Sequence, residues 1–121
     1  MGSSFHVLII DDDSNLREAL SRSLVRLGCE VSTAETAEKG VEQIKNGPYD
    51  AVFAALCVRE MGGRGVARVV KSNSANTKFF LITSWKGELE PGLLRFDGIH
   101  DVIRKPINFT EIRDKVLEHL G

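Results

Sequence analysis

Apolar and polar positions along this chain follow two rhythms that alternate. Short, nearly unbroken apolar runs lie at Phe5–Ile10, Asp50–Val58, Lys78–Thr83 and Ile99–Ile103, with a weaker one at Cys29–Ala34. Runs of this kind, rich in Val, Ile and Phe, predict strands. Where polar alternation is missing, as in Asp50–Val58, both faces of the strand are covered, as in a parallel sheet. Between the runs, apolar residues recur three or four positions apart. Leu16, Ala19, Leu20, Ser23, Leu24 and Leu27 share one helical face, with Arg17, Glu18, Arg22 and Arg26 elsewhere. Ala37, Val41 and Ile44 mark a second helix and Val66, Val69 and Val70 a short third one. Phe109, Ile112, Val116 and Leu120 give the last helix its buried face.

Punctuation residues set the expected limits. Ser14-Asn15 reads as a helix start and Gly28 as a left-handed cap. Thr36 is a candidate N-cap, and Asn46-Gly47-Pro48 stops the second helix. Gly62-Gly63-Arg64-Gly65 reads as a loop of high backbone freedom. Ser72–Asn76 is a polar turn. Ser84–Asp97 is the least regular stretch, where Pro91-Gly92 breaks or delays any helix. Asn108 with Glu111 resembles a capping box.

Strands alternating with helical segments, without repeats or linkers, predict one domain over residues 1–121. The fold class is α/β, a single doubly wound five-stranded parallel sheet with flanking helices. Right-handed crossovers bring the carboxyl ends of the strands to one edge. Open sheets bind ligands at that edge. The sequence places Asp11, Asp12 and Asp13 there, followed by the Ala55-Leu56 region, Thr83 and Lys105.

Composition narrows the possibilities. The 121 residues suit one core, with 42% hydrophobic and 27% charged residues, as in ordinary soluble domains. A net charge of −1 gives no basic field for nucleic acid. No apolar run reaches the ~20 residues of a membrane span. Met1-Gly2-Ser3-Ser4 lacks the charged start and apolar centre of a signal peptide, and is left open as a native, disordered or tag-derived start. Cys29 and Cys57 have no zinc spacing and read as reduced core thiols of a cytoplasmic protein. His6, His100 and His119 are scattered, Trp85 reads as a loop aromatic, and Arg59, Arg64 and Arg68 read as a solvated face.

The remaining chemistry gathers at the strand ends. Crowded carboxylates repel one another unless a cation sits among them. Two or three in a row suit a hard ion such as Mg²⁺. A Thr hydroxyl can donate to a phosphoryl oxygen, and a Lys is a compact partner for phosphate or carboxylate. Together they describe a phosphoryl-transfer site that lacks a nucleophile.

Over its whole length the chain resembles the receiver domain of two-component response regulators, which has a flavodoxin-like fold. Asp11-Asp12 fit the family's metal-holding pair, Thr83 its hydroxyl position and Lys105-Pro106 its Lys-Pro motif. Pro48-Tyr49-Asp50 leads into the third strand as in many members. Thr83-Ser84-Trp85 resembles a Thr-Gly-Trp variant found in receivers of some hybrid sensor kinases. The departures reverse the usual implication. Ala55 stands where the family's phospho-accepting Asp is expected. The following loop reads Cys57-Val58-Arg59-Glu60-Met61-Gly62-Gly63 where a Met-Pro pair is usual. Val102 replaces the switch aromatic, so both acceptor and reporter are missing.

The resemblance therefore implies an atypical bacterial receiver, a pseudo-receiver. It would be a regulatory interaction module rather than an enzyme, without phosphorelay through position 55. Its partners would be a sensor kinase, an output domain or a second copy in a homodimer. The contact face would be that of the fourth and fifth helices and fifth strand, around Leu89–Phe96 and Val102–Ile112. With Ala55 the metal pair is one carboxylate short, so Mg²⁺ at Asp11 and Asp12 is expected to be weak or absent, with Lys105 pairing instead. One alternative is a phosphorylatable receiver whose acceptor was replaced, or in which Asp12 or Asp13 accepts phosphate. Asp50, some ~16 Å away along the strand, is too far, and Cys57 reads as packing. A second alternative is a flavodoxin-like small-ligand binder, which would need a Gly-rich loop where Asp11-Asp12-Asp13 stand.

Overall fold

Strand and helix alternate from one end of the chain to the other. In order come β1 (His6–Ile10), α1 (Ser14–Arg26), β2 (Glu30–Ala34), α2 (Ala37–Asn46), β3 (Ala51–Ala55), α3 (Gly62–Asn73), β4 (Lys78–Thr83), α4 (Pro91–Asp97), β5 (Asp101–Arg104) and α5 (Phe109–Leu120). The structure, a computed structural model, describes residues 4–56, 62–74 and 76–121, the side chains of Leu93 and Phe96 excepted. The expectations placed on residues 1–3, on Cys57 to Met61 and on the side chain of Phe96 lie outside these residues.

All strand pairs are parallel, in the order β2-β1-β3-β4-β5. The chain steps from β1 outward to β2, then returns to β3 on the other side of β1. The order therefore reverses between β1 and β3, where sheets of this kind open a cleft. The sheet buries a separate core on each face. Leu8, Ile10, Val52, Phe79 and Leu81 pack with the helices α2 and α3 on one side. Val7, Ile9, Phe53, Phe80 and Ile103 pack with α1 and α5 on the other. Alternate residues of β1, β3 and β4 thus serve opposite cores, which is why these strands carry almost no polar positions.

Two expectations about local structure are corrected. Gly62–Gly65 is the first turn of α3, not a loop. A Cβ at Gly63 would lie 2.5 Å from the Ala55 carbonyl oxygen and 2.7 Å from Leu81 Cδ1. Glycine there lets α3 start directly against the end of β3, and burial of Val66, Ala67 and Val70 holds it in place. Pro91-Gly92 starts α4 rather than breaking it, with Pro91 in the first turn and Gly98 (φ 84°) closing the helix. A proline at that point is pre-set for helical φ and loses no needed donor. No helix among the described residues is long and apolar enough to cross a membrane.

Candidate functional site

β1 delivers Asp11 to the cleft. The Asp11 amide donates to the Ala34 carbonyl at 3.1 Å, which continues the ladder one residue past the strand. Arg17 Nη1 donates to the Asp11 carbonyl at 2.7 Å and ties α1 to the same point. The Asp11 carboxylate accepts the Asp13 amide through Oδ1 at 3.0 Å. Asp13 is spent on α1: its Oδ1 accepts the Asn15 and Leu16 amides at 3.0 and 3.2 Å. The helix start therefore falls on Asp13, one residue before the Ser14-Asn15 signal, and the third acidic side chain is a cap. Asp12 is exposed.

Asp11 has almost no contact with solvent, with only 1% of its surface exposed. Its Oδ2 is buried without a hydrogen-bond partner, and Lys105 Nζ stands 3.5 Å from it. Burial raises the Asp11 carboxyl above its ordinary pKa. The Asp13 amide and Lys105 oppose the rise without cancelling it, and neighbouring Asp12 adds to it. The Lys105–Pro106 peptide is cis.

Asp11, Asp12, Ala55, Thr83 and Lys105 line one cavity of about 80 Å³. The topology brings them together: β1, β3, β4 and β5 each end at this edge. Ala55, at the last position of β3, is buried and offers a methyl group. Thr83, at the end of β4, is buried, and its Oγ1 accepts the Trp85 amide at 2.9 Å. Arg104 Nη1 donates to the Trp85 carbonyl, which pins the loop after β4 to β5. Trp85 itself is 56% exposed. Val102 pairs with Leu81 and packs, half-buried, on the core that includes Leu94.

Sequence reading missed two other clusters. Arg64 and Arg68, read as part of a solvated face, are 42% and 58% exposed, and both also reach Asp97, Arg64 Nε to Oδ2 at 2.5 Å and Arg68 Nε to Oδ1 at 3.0 Å. Their spacing of four put them on one face of α3, but nothing local pointed to Asp97. Burial would raise the Asp97 carboxyl, yet the two guanidiniums outweigh it and hold it below its ordinary value. On β5 and α5, Asp101 accepts from Lys115 at 2.7 Å and lies 3.1 Å from His119 Nε2. The rings of His100 and His119, scattered in sequence, come within 6.4 Å.

A family model described as the response regulator receiver domain matches residues 7–117. The cyclic di-GMP phosphodiesterase of Thermotoga maritima is 30% identical over 114 residues, spanning 94% of this chain and 30% of that protein. The response regulator protein TrrA of Thermotoga maritima, solved in complex with Mg²⁺-BeF, matches with TM-score 0.86 at 27% identity, over 96% of this chain and 99% of that one. The chemotaxis response regulator CheY4 of Vibrio cholerae shares the fold, with TM-score 0.89 at 20% identity over 98% and 100% of the two chains. The chain spans less than half the length of three curated relatives it matches, at 30%, 21% and 44% of each.

Proposed function

This chain belongs to the response regulator receiver domain family, and from that premise we propose that it is a pseudo-receiver. It would bind protein partners in two-component signalling without aspartyl phosphorylation at position 55. Receiver domains are regulatory modules that interact with kinases and output domains. The single observation that supports the silent version is the lining of the small cavity. Asp11, Asp12, Thr83 and Lys105 meet there around the methyl group of Ala55. An acyl phosphate needs a carboxylate oxygen to attack phosphorus, and a methyl group has none.

The other groups have local employment in its place. Lys105 faces the Asp11 carboxylate at 3.5 Å. The Thr83 hydroxyl oxygen holds the Trp85 amide. Val102 is packed against the core and has neither the ring nor the hydroxyl to move in response to a phosphoryl group. Mg²⁺, which the family's fold implies, fits this donor set in reduced form. Asp11, with its unpartnered Oδ2, and exposed Asp12 would hold it. When bound, the ion would neutralise the acidic pair and offer open positions to phosphate oxygens. With two carboxylates from this edge rather than three, and Lys105 competing for Asp11, the affinity is low.

The partner face in this reading is α4, β5 and α5, and its partners are a sensor kinase, an output domain or a second copy. The setting is cytoplasmic and the domain spans residues 1–121. The test is incubation with acetyl phosphate and Mg²⁺, read by intact mass. The expected result is an unchanged mass. A stoichiometric gain of one phosphoryl group would overturn the proposal, and its loss in Asp12→Asn would place the acceptor at the neighbouring carboxylate.

A further inference from the structure

The start of β5 and the last turn of α5 bring three metal-binding side chains to one point, away from the Asp11 edge. Asp101 from β5, and Glu118 and His119 from α5, each present a ligand atom, and these atoms all lie within 4.8 Å of one another. We propose that Asp101, Glu118 and His119 form a site for Zn²⁺ or a chemically similar divalent transition metal. The ion would fasten the end of α5 to β5, an edge strand of the sheet.

Two of the three ligands are already set in place. Asp101 Oδ1 accepts the Val102 amide at 2.8 Å and Lys115 Nζ at 2.7 Å. Those donors fix the carboxylate, and its Oδ2 meets His119 Nε2 at 3.1 Å. The His119 ring stands edge-on to Phe80, with centroids 5.2 Å apart and planes at 82°. Hydrogen bonds and packing behind the ligand atoms are what hold metal ligands in orientation. Ligand atoms ~2.0–2.2 Å from a tetrahedral Zn²⁺ stand roughly 3.3–3.6 Å from each other. Nε2 and Oδ2 therefore need to part only slightly to reach that spacing. Glu118 is exposed, and its long side chain can close the remaining gap.

The charge balance favours a cation. Burial pushes the Asp101 carboxyl up, but the hydrogen bonds from Lys115, His119 and the Val102 amide outweigh it and hold it below its ordinary pKa. Two carboxylates and one ammonium leave the cluster net negative around a neutral imidazole. The pairing of Asp101 with Lys115 and His119 has a simpler use, holding α5 on β5. That use leaves out Glu118, which makes no hydrogen bond or ion pair with any described residue yet converges on the same point. One imidazole and two carboxylates suit zinc better than Mg²⁺, a hard ion that takes oxygen ligands. Three protein ligands also leave a fourth position for water. An ionised carboxylate only accepts, so Nε2 carries the proton that faces Oδ2. The metal takes the place of that proton. From a neutral ring the proton passes to Nδ1, and from an imidazolium one proton is released to solvent. Lys115 stays on Oδ1 and opposes the ion by like charge, which weakens the site without closing it.

The test is an NMR titration with Zn²⁺, read at the His119 ring so that ions held at the Asp11 edge are not counted. The ring signals should shift saturably, to one ion per chain, with the nitrogen shifts reporting the proton on Nδ1, and EDTA should reverse the change. Glu118→Gln should weaken binding about tenfold or more, since even a residue that only orients a ligand is worth that much. This exposed change leaves the Asp101 pairs, and with them the fold, in place. Lys115→Gln should tighten binding severalfold by removing a like charge. His6→Gln, a histidine on β1, should leave it unchanged. The absence of a saturable shift at His119, an equal shift with Mg²⁺, or Zn²⁺ binding as tight in Glu118→Gln as in wild type would overturn the proposal.

Discussion

Replacing Asp97 by asparagine tests whether α4 is held to α3 by charge. The side chain is 1% exposed, and each of its oxygens accepts from a different arginine of α3. The asparagine would keep the shape and one acceptor, but its amide would face a guanidinium with a donor. Hydrogen bonds to charged groups contribute about 1.5–3 kcal/mol each. Arg64 and Arg68 are 42% and 58% exposed, so solvent screening removes roughly half of that. One discounted bond is lost, and the amide that replaces its acceptor is left buried against a donor at a similar or larger cost, so the loss is about 1.5–3 kcal/mol. At this chain length that lowers Tm by about 6–12 °C. The pH dependence supplies the sharper check. The folded Asp97 pKa lies below its ordinary value. Its contribution is therefore complete above the unfolded carboxyl pKa of about 3.9 and is lost as pH falls through the folded value. Urea unfolding at pH 7 and in acid would measure both. The gap between wild type and Asp97→Asn should be full at pH 7 and should narrow in acid. Equal midpoints at pH 7, or a gap that widens in acid, would refute the reasoning.

Three further changes probe the Asp11 edge. Asp11→Asn should raise stability at pH 7 by about 1 kcal/mol, the scale of a buried acceptor left unsatisfied. Burial raises the Asp11 pKa, so the folded state loses stability as pH rises through that value, and the advantage of the amide should vanish in acid. Urea midpoints at the two pH values check it. Ala55→Asp places a third carboxylate beside Asp11 and Asp12, costs about 1–2 kcal/mol without metal and strengthens Mg²⁺ binding about tenfold. Thermal shifts with and without Mg²⁺ should show a much larger response in the variant than in wild type, and equal responses would sink the ligand-count argument. Gly63→Ala drives a methyl into the Ala55 carbonyl and should cost about 1–3 kcal/mol by chemical denaturation.

The sheet was legible because burial leaves a strong mark. β1, β3 and β4 are covered on both faces, and their runs of apolar residues give them away. Placing Asp11, Ala55, Thr83 and Lys105 on one edge then required only the strand ends and the handedness of the crossovers. What stayed hidden depends on contacts between distant elements. Gly63 is helical because the end of β3 leaves no room for a side chain there. Asp97 gives no local signal, since its partners lie one helix earlier in the chain. His100 and His119 meet because β5 and α5 pack together, and no pattern of spacing encodes that. Asp13 could have been recognised as a cap, because Asp preceding a helical stretch is a standard start. The run of acidic residues drew it into the site instead.

These contacts also bear on how such a domain could change state. A phosphoryl signal at the Asp11 edge would need Thr83 and the residue at 102 to respond. Thr83 is bound to the Trp85 amide, Trp85 is bound to Arg104, and Val102 is packed on the core. On the proposed partner face, Arg64 and Arg68 fasten α4 to α3 through Asp97, while Lys115 and His119 fasten α5 to β5 through Asp101. A ligand shifts an equilibrium only by its difference in affinity for the two states. A partner that needs α4 displaced must supply at least the about 1.5–3 kcal/mol of the Asp97 pairs, a factor of tenfold or more in affinity.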